Sequence, residues 1–226
     1  MNRPARNPYR EQCRIIRKHL DVHDADLTGV FLAERAVVTM LCCLLILSPS
    51  MLVRYVFGRF GRVTRKIAVD VYVLFKTGLA VCCLYAGIWS HKWFIWFAPV
   101  MLIDLFAFIC GLILLRKFWR SPISLNRTLI LLGFNFIEYT AWFAGLYLAS
   151  SGLTANNEII TDPTTALYFS IVTAATVGYG DILPKECGRL LAMLQIVASL
   201  CFLAAIVAYF IAGLDRRKPD AAPPDS

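Results

Sequence analysis

The hexapeptide Thr176-Val177-Gly178-Tyr179-Gly180-Asp181 follows directly on Pro163 to Ala175, a run rich in apolar and small hydroxyl side chains. Asp162 is a good N-cap and Pro163 a good first helical residue, so a helix is expected over 163–175. At about 1.5 Å per residue it reaches about 20 Å, too short to cross a bilayer. The chain then meets two glycines at alternate positions, so the segment has to enter the membrane and turn back. Irregular backbone at that depth is tolerated only where protein buries it or where it lines a water-filled path. Gly178 and Gly180 take positive φ without steric cost, which lets consecutive carbonyls face the same way. One chain then offers one column of oxygens. Four chains around an axis would form cages of about eight oxygens, the Thr176 hydroxyls completing the lowest, in place of the water shell of a monovalent cation. The C-terminal end of the short helix adds partial negative charge near the membrane centre.

Composition sets the solvent in which this happens. The 226 residues are 58% hydrophobic and 17% charged, with a mean hydropathy of +0.63. A soluble domain carries about a quarter charged residues, so a membrane protein is expected. The formal charge of +8 comes from 23 Lys and Arg against 15 Asp and Glu. The bases lie between apolar runs, the pattern of membrane topology, and nucleic acid is not an expected partner. Cys42, Cys43, Cys82, Cys83, Cys110 and Cys201 sit inside apolar runs, which leaves Cys13 and Cys187 in polar surroundings. That excludes a disulfide framework and a cysteine metal site. The first 35 residues are polar and contain no apolar core of a secretory leader.

Five apolar runs have the length to cross, which takes about 20 helical residues: Ala36 to Phe57, Ile67 to Trp89, Trp93 to Leu115, Thr128 to Ser150 and Gly188 to Leu214. Basic residues mark the cytoplasmic side. Arg59, Arg62, Arg65 and Lys66 lie between the first two runs; Arg116, Lys117, Arg120 and Arg127 lie between the third and fourth; Arg216, Arg217 and Lys218 follow the last. Five spans ending inside put the N-terminus outside, whereas Arg3, Arg6, Arg10, Arg14, Arg17 and Lys18 favour inside. A first run broken at Ser48-Pro49-Ser50 would leave four spans and the opposite orientation.

Ionisable residues inside these runs call for partners. By helical rise, Lys76 lies about 14 Å and Asp104 about 16 Å from the cytoplasmic ends of their helices, while Arg54 and Asp70 lie about 4 to 5 Å deep. Two intramembrane ion pairs are therefore expected, Lys76 with Asp104 and Arg54 with Asp70. Glu138 is also at mid-depth and faces protein, with no partner assigned. Leu200, Leu203, Val207 and Ile211 share one face of the last helix and are expected to line an inner cavity below Thr176.

Thr-Val-Gly-Tyr-Gly-Asp after a short helix, with an apolar span on either side, resembles the selectivity filter of potassium channels. The resemblance covers about Thr128 to Leu214. It implies an all-α membrane protein, a tetrameric pore-loop channel with an outer helix, a re-entrant pore helix, a filter and an inner helix in each chain, preceded by about three further transmembrane helices. The filter residues it carries over are Thr176, Val177, Gly178, Tyr179 and Gly180, with Asp181 as the outer carboxylate. Where small bacterial members carry a carboxylate behind the filter this chain has Val172, Tyr168 and Phe169 replace a Trp-rich cuff, and the usual inner-helix glycine falls on Ser199.

The expected organisation is a polar or amphipathic segment 1–35, a three-helix transmembrane region 36–115, a linker 116–127, a pore domain 128–214 and a cytoplasmic tail 215–226. Within the pore domain lie the pore helix 163–175, the filter 176–181 and the inner helix 188–214. Arg116, Lys117, Arg120 and Arg127 lack the every-third-residue period of a voltage sensor, so steep voltage gating is not expected. The expectation is passive potassium conduction by a homotetramer in the cell membrane, with K+ bound at the filter, no cofactor and no catalysed reaction, since no Ser/His/Asp, HExxH or Walker pattern occurs. The rival readings are a filter-bearing subunit of a potassium transporter and a non-conducting partner in a heteromeric channel.

Overall fold

The computed structural model describes residues 48–114 and 125–215, with scattered positions between 9 and 46. The first apolar run is broken where Ser48-Pro49-Ser50 interrupts it. Ser48 caps helix α1 (Pro49–Gly58), its Oγ accepting from Met51 N at 3.4 Å, with proline in the first turn. Those 10 residues span about 15 Å and do not cross by themselves. Gly61, at φ 123°, turns the chain into α2 (Arg62–Tyr85), 24 residues long. This helix starts ahead of the apolar run beginning at Ile67, because Arg62, Arg65 and Lys66 form a polar first turn that hydropathy alone leaves out.

After α2, Gly87 at φ 71° leads into a 3-10 turn, Ile88–Ser90, and then α3 (Phe94–Leu114). The pore-side half begins with α4 (Leu125–Ala149), followed by α5 (Pro163–Ala174) and α6 (Glu186–Asp215). Among the described residues three helical stretches are long and apolar enough to cross a membrane: Val63–Tyr85, Arg127–Ala149 and Glu186–Val207. The α3 stretch Phe94–Cys110 is a shorter apolar helix by the same measure. The segments 1–35, 116–124 and 216–226 lie largely or wholly outside the described residues.

Helix α4 is the axle of the chain, packing against α2, α3, α5 and α6. Tyr139, Trp142, Ala144 and Tyr147 are fully buried along it. Phe94 and Phe97 close on Trp142 at 5.8 and 5.6 Å between ring centroids, and Phe136 and Phe143 flank Tyr139. Edge and tilted contacts of this kind add to the burial of the rings themselves. Thr77 Oγ1 bonds the Phe134 carbonyl at 3.2 Å, tying α2 to the same axle.

A small antiparallel sheet, which the sequence reading does not anticipate, sits after α4. Its strands are β1 (Leu153–Ala155), β2 (Glu158–Ile159) and β3 (Leu183–Pro184), in the order β2-β1-β3. Thr154 pairs with Ile159 on one side and Leu183 on the other. Asn156 and Asn157, at φ 50° and 67°, make the two-residue hairpin turn. Beside it the backbones of Gly152 and Gly188 touch, so that a Cβ on Gly188 would collide with the Gly152 carbonyl. Lys185 N also donates to Gly152 O at 2.8 Å. Because the obstacle is main chain, Gly188→Ala is expected to destabilise by about 1–3 kcal/mol, measured by denaturant titration in detergent.

Asp70, expected to pair with Arg54, has Arg127 as an ion-pair partner. Asp70 is held by Arg127, whose Nε lies 3.0 Å from Oδ2 and Nη2 2.5 Å from Oδ1, and Nη2 also donates to the Lys66 carbonyl at 3.0 Å. Counting depth along α1 and α2 considered only the helices joined by the 58–66 loop. It missed Arg127, the third residue of α4, because that residue reads as linker. Arg54 sets its guanidinium over the Phe108 ring, 5.4 Å from the centroid.

Candidate functional site

The loop-and-helix unit from Asp162 to Asp181 is built as follows. Asp162 Oδ2 accepts from Thr165 N at 2.7 Å and from Thr165 Oγ1 at 2.6 Å, capping α5. These hydrogen bonds hold the Asp162 carboxyl below the usual carboxylate range. The helix ends at Ala174, where the Val177 and Thr176 amides bond back to the Val172 and Thr173 carbonyls. From there the backbone alternates in hand. Thr176, Gly178 and Gly180 have φ of 56°, 59° and 78°, while Val177 and Tyr179 are not among the positive-φ residues.

Alternating hand at successive residues is what turns consecutive peptide groups to one side. Two of the three left-handed positions are glycines, as the sequence suggests, but Thr176 is β-branched, and a β-branched residue at positive φ is an outlier. Strain of that kind costs about 1–3 kcal/mol and persists only where the surroundings over-determine it. Val177 and Tyr179 are exposed, and nothing lies within 4 Å of where a Cβ on Gly178 or Gly180 would stand. Asp181 is exposed as well, with the Tyr168 hydroxyl facing its carboxylate.

Behind this loop lies a polar network centred on Gln195 of α6, which is fully buried. Its Nε2 donates to Ser170 O and Ser170 Oγ, both at 2.8 Å, and its Oε1 accepts from Tyr147 OH at 2.8 Å. Its carbonyl accepts from Tyr139 OH at 2.6 Å and from Ser199 Oγ at 2.9 Å. Ser170 Oγ in turn bonds the Thr140 carbonyl at 2.8 Å. One side chain thus fastens α5 to α4 and α6, and every polar atom it carries is used. Sequence reading passed over Gln195; a lone glutamine in the apolar run Leu190–Val207 was the available signal. Gln195→Leu is expected to cost about 1–3 kcal/mol by stranding Tyr147 OH and the Ser170 carbonyl, read as a lower detergent melting temperature.

Leu200, Leu203, Val207 and Ile211 are all exposed along α6, together with Leu190, Met193, Leu194 and Val197. The helix is apolar on nearly every side and runs unbroken through Ser199, where the resemblance would place a glycine. A helix apolar all round is covered on all sides. In the single chain much of it is bare.

Lys76 and Asp104 lie far from the 176–181 loop in sequence but inside the helix packing. Lys76 Nζ stands 2.7 Å from Asp104 Oδ2 and 3.1 Å from Glu138 Oε1, and all three residues are buried. Glu138 thereby gains the partner that the sequence left open.

Comparison with known proteins places this geometry in context. Residues 130–215 match a family model described as "Ion channel". The chain is 29% identical over 141 residues to the voltage-gated potassium channel Kch of Escherichia coli (strain K12), an alignment covering 60% of this chain and 33% of that protein. The chain therefore spans about a third of the length of this curated relative. No solved structure matches it. With three helices long and apolar enough to cross a membrane, the chain is a mostly helical, multi-pass membrane protein that carries an ion-channel domain from α4 through α6.

Proposed function

We propose that the chain is a potassium-selective channel subunit, four copies of which surround one pore in the cell membrane. The observation that carries this reading is the alternation of backbone hand at Thr176, Gly178 and Gly180. Repeated around an axis, it sets rings of carbonyl oxygens from Thr176, Val177, Gly178 and Tyr179 in place of the water around K+. Gly180 ends the column and Asp181 supports its outer end. The bare apolar surface of α6 and the exposed Val177 and Tyr179 support close packing of neighbouring copies. Leu200, Leu203, Val207 and Ile211 line the cavity through which the ion reaches the filter. Flow is passive and no cofactor takes part.

The test is reconstitution of the purified chain in liposomes, with flux measured under potassium and sodium gradients. Potassium flux blocked by barium, and little sodium flux, are expected. Equal flux of both ions removes the selectivity; flux that requires an added energy source favours a transporter subunit; no flux without a second polypeptide favours a partner in a heteromeric channel.

A further inference from the structure

The corner between α1 and α2 is one-sided in charge. From Ala36 to Val69 the chain carries Arg54, Arg59, Arg62, Arg65 and Lys66 and no acidic residue. Asp70, the first carboxylate to follow, is already engaged from α4, where Arg127 Nε lies 3.0 Å from its Oδ2. Its charge is thereby cancelled, and the corner stays positive. Arg59 and Lys66 are exposed there. Arg59 is also held in place: its Nη2 donates to Tyr55 OH at 2.7 Å and its guanidinium lies over the Tyr55 ring, 4.9 Å from the centroid. A planar fork fixed in this way loses little freedom when its remaining donors take up a phosphate.

The same corner is bare of apolar cover. Helix α1 packs against α2 and buries Met51 and Gly58, while Phe57, Phe60 and Val63 are exposed, Phe60 to 69%. Phe60 stands next to Arg59 in the chain, so a ring and a base face the surroundings at one turn. A dissolved anion satisfies the bases and leaves the rings in water. A neutral lipid covers the rings and leaves the charge unanswered. A second copy of this corner brings like charge against like. The boundary between acyl chains and anionic headgroups answers both features at once.

We propose that the α1–α2 corner binds the headgroup of an anionic phospholipid, with Arg59 and Lys66 on the phosphate and Phe57 and Phe60 among the acyl chains. The lipid then sits against a joint of the fold. Arg127 Nη2, which also serves Asp70, donates to the Lys66 carbonyl at 3.0 Å, and Arg127 is the third residue of α4. Helix α4 packs in turn against α5 and α6. This inference concerns the membrane-embedded chain and does not depend on which ion, if any, it conducts.

The test is a titration of the full chain in neutral detergent with short-chain phosphatidylglycerol, and with phosphatidylcholine of the same acyl length. Retained lipid is counted by native mass spectrometry. Phosphatidylglycerol is expected to bind more tightly. Arg59→Gln combined with Lys66→Gln should lower its affinity by about 25-fold, roughly fivefold for each base removed, and leave phosphatidylcholine unchanged. Phe60→Ser should weaken both lipids. Lys185→Gln combined with Arg189→Gln removes the same charge near the start of α6 and should leave the phosphatidylglycerol affinity as it is. Equal binding of the two lipids overturns the proposal, as does a phosphatidylglycerol preference that survives the Arg59 and Lys66 changes. An equal loss in the Lys185 and Arg189 variant reduces the effect to overall charge and overturns the site. Displacement of the lipid by glycerol phosphate at equal concentration overturns the bilayer as the source of the ligand. Without added lipid, the Arg59 and Lys66 variant should melt within about 2 °C of the wild type. A larger fall places an internal partner on these bases and overturns the lipid assignment.

Discussion

Replacing Lys76 by methionine is expected to destabilise the chain by about 3–5 kcal/mol, the loss typical of breaking a buried ion pair from one side. Methionine keeps the length and apolar stem of lysine, so packing is nearly conserved and the change isolates the charge. What remains is Asp104 at 4% exposure and Glu138 at 0%, with their oxygens facing an apolar tail. Adding Asp104→Asn and Glu138→Gln to the same chain should recover most of the loss, because replacing all members of a buried charged group by neutral ones is far less costly than removing one. The measurement is the unfolding midpoint of each variant in the same detergent. Equal stability of Lys76→Met and the wild type would mean that the cluster is hydrated and contributes little.

The second large effect is at Gly180. Alanine there meets nothing within 4 Å in the single chain, so the consequence is purely one of backbone conformation. At φ 78°, a Cβ costs roughly 1–2 kcal/mol. In a pore of four chains the penalty applies in each copy, about 4–8 kcal/mol in all for the same filter geometry. The filter is then expected to abandon that geometry, and potassium flux in liposomes to fall by at least about 100-fold, with expression and assembly retained. Gly133→Ala is the matched control. It also has nothing within 4 Å of its Cβ, but it lies in α4 outside the positive-φ set, and flux should not change.

How much of this was readable beforehand follows from which interactions are local. The start of α5 was legible because Asp162 and Pro163 act within one turn, and the turn-back after it was legible from glycine spacing. The break in the first run was legible at Ser48-Pro49, though not the length of the helix that follows. Thr176 at positive φ was not, since nothing in its chemistry asks for it; the demand comes from the residues on either side. Partners across helices were harder still. Depth along a helix follows from residue number, which is why Lys76 and Asp104 matched in level. Rotation about the helix axis does not follow from number, and so Asp70 finds Arg127, and Glu138 joins Lys76. The sheet escaped notice because its strands are two or three residues long, although Asn156-Asn157 between Leu-Thr-Ala and Glu-Ile-Ile is a hairpin signal.

The contact of Gly152 with Gly188 has a mechanical meaning. It pins the N-terminal end of α6 against the end of α4, and Gln195 supplies a second bearing two turns further along. Ser199 Oγ meets Tyr139 OH at 2.7 Å, and beyond it the helix has no comparable polar fastening among the described residues. Such a rod moves as a lever about a fulcrum at its Gly188 end. Measured from Gly188, the far end lies about 40 Å away, so a tilt of about 10° sweeps it through roughly 7 Å while the residues beside the loop stay nearly still. Displacement is thereby concentrated at the Asp215 end of the helix.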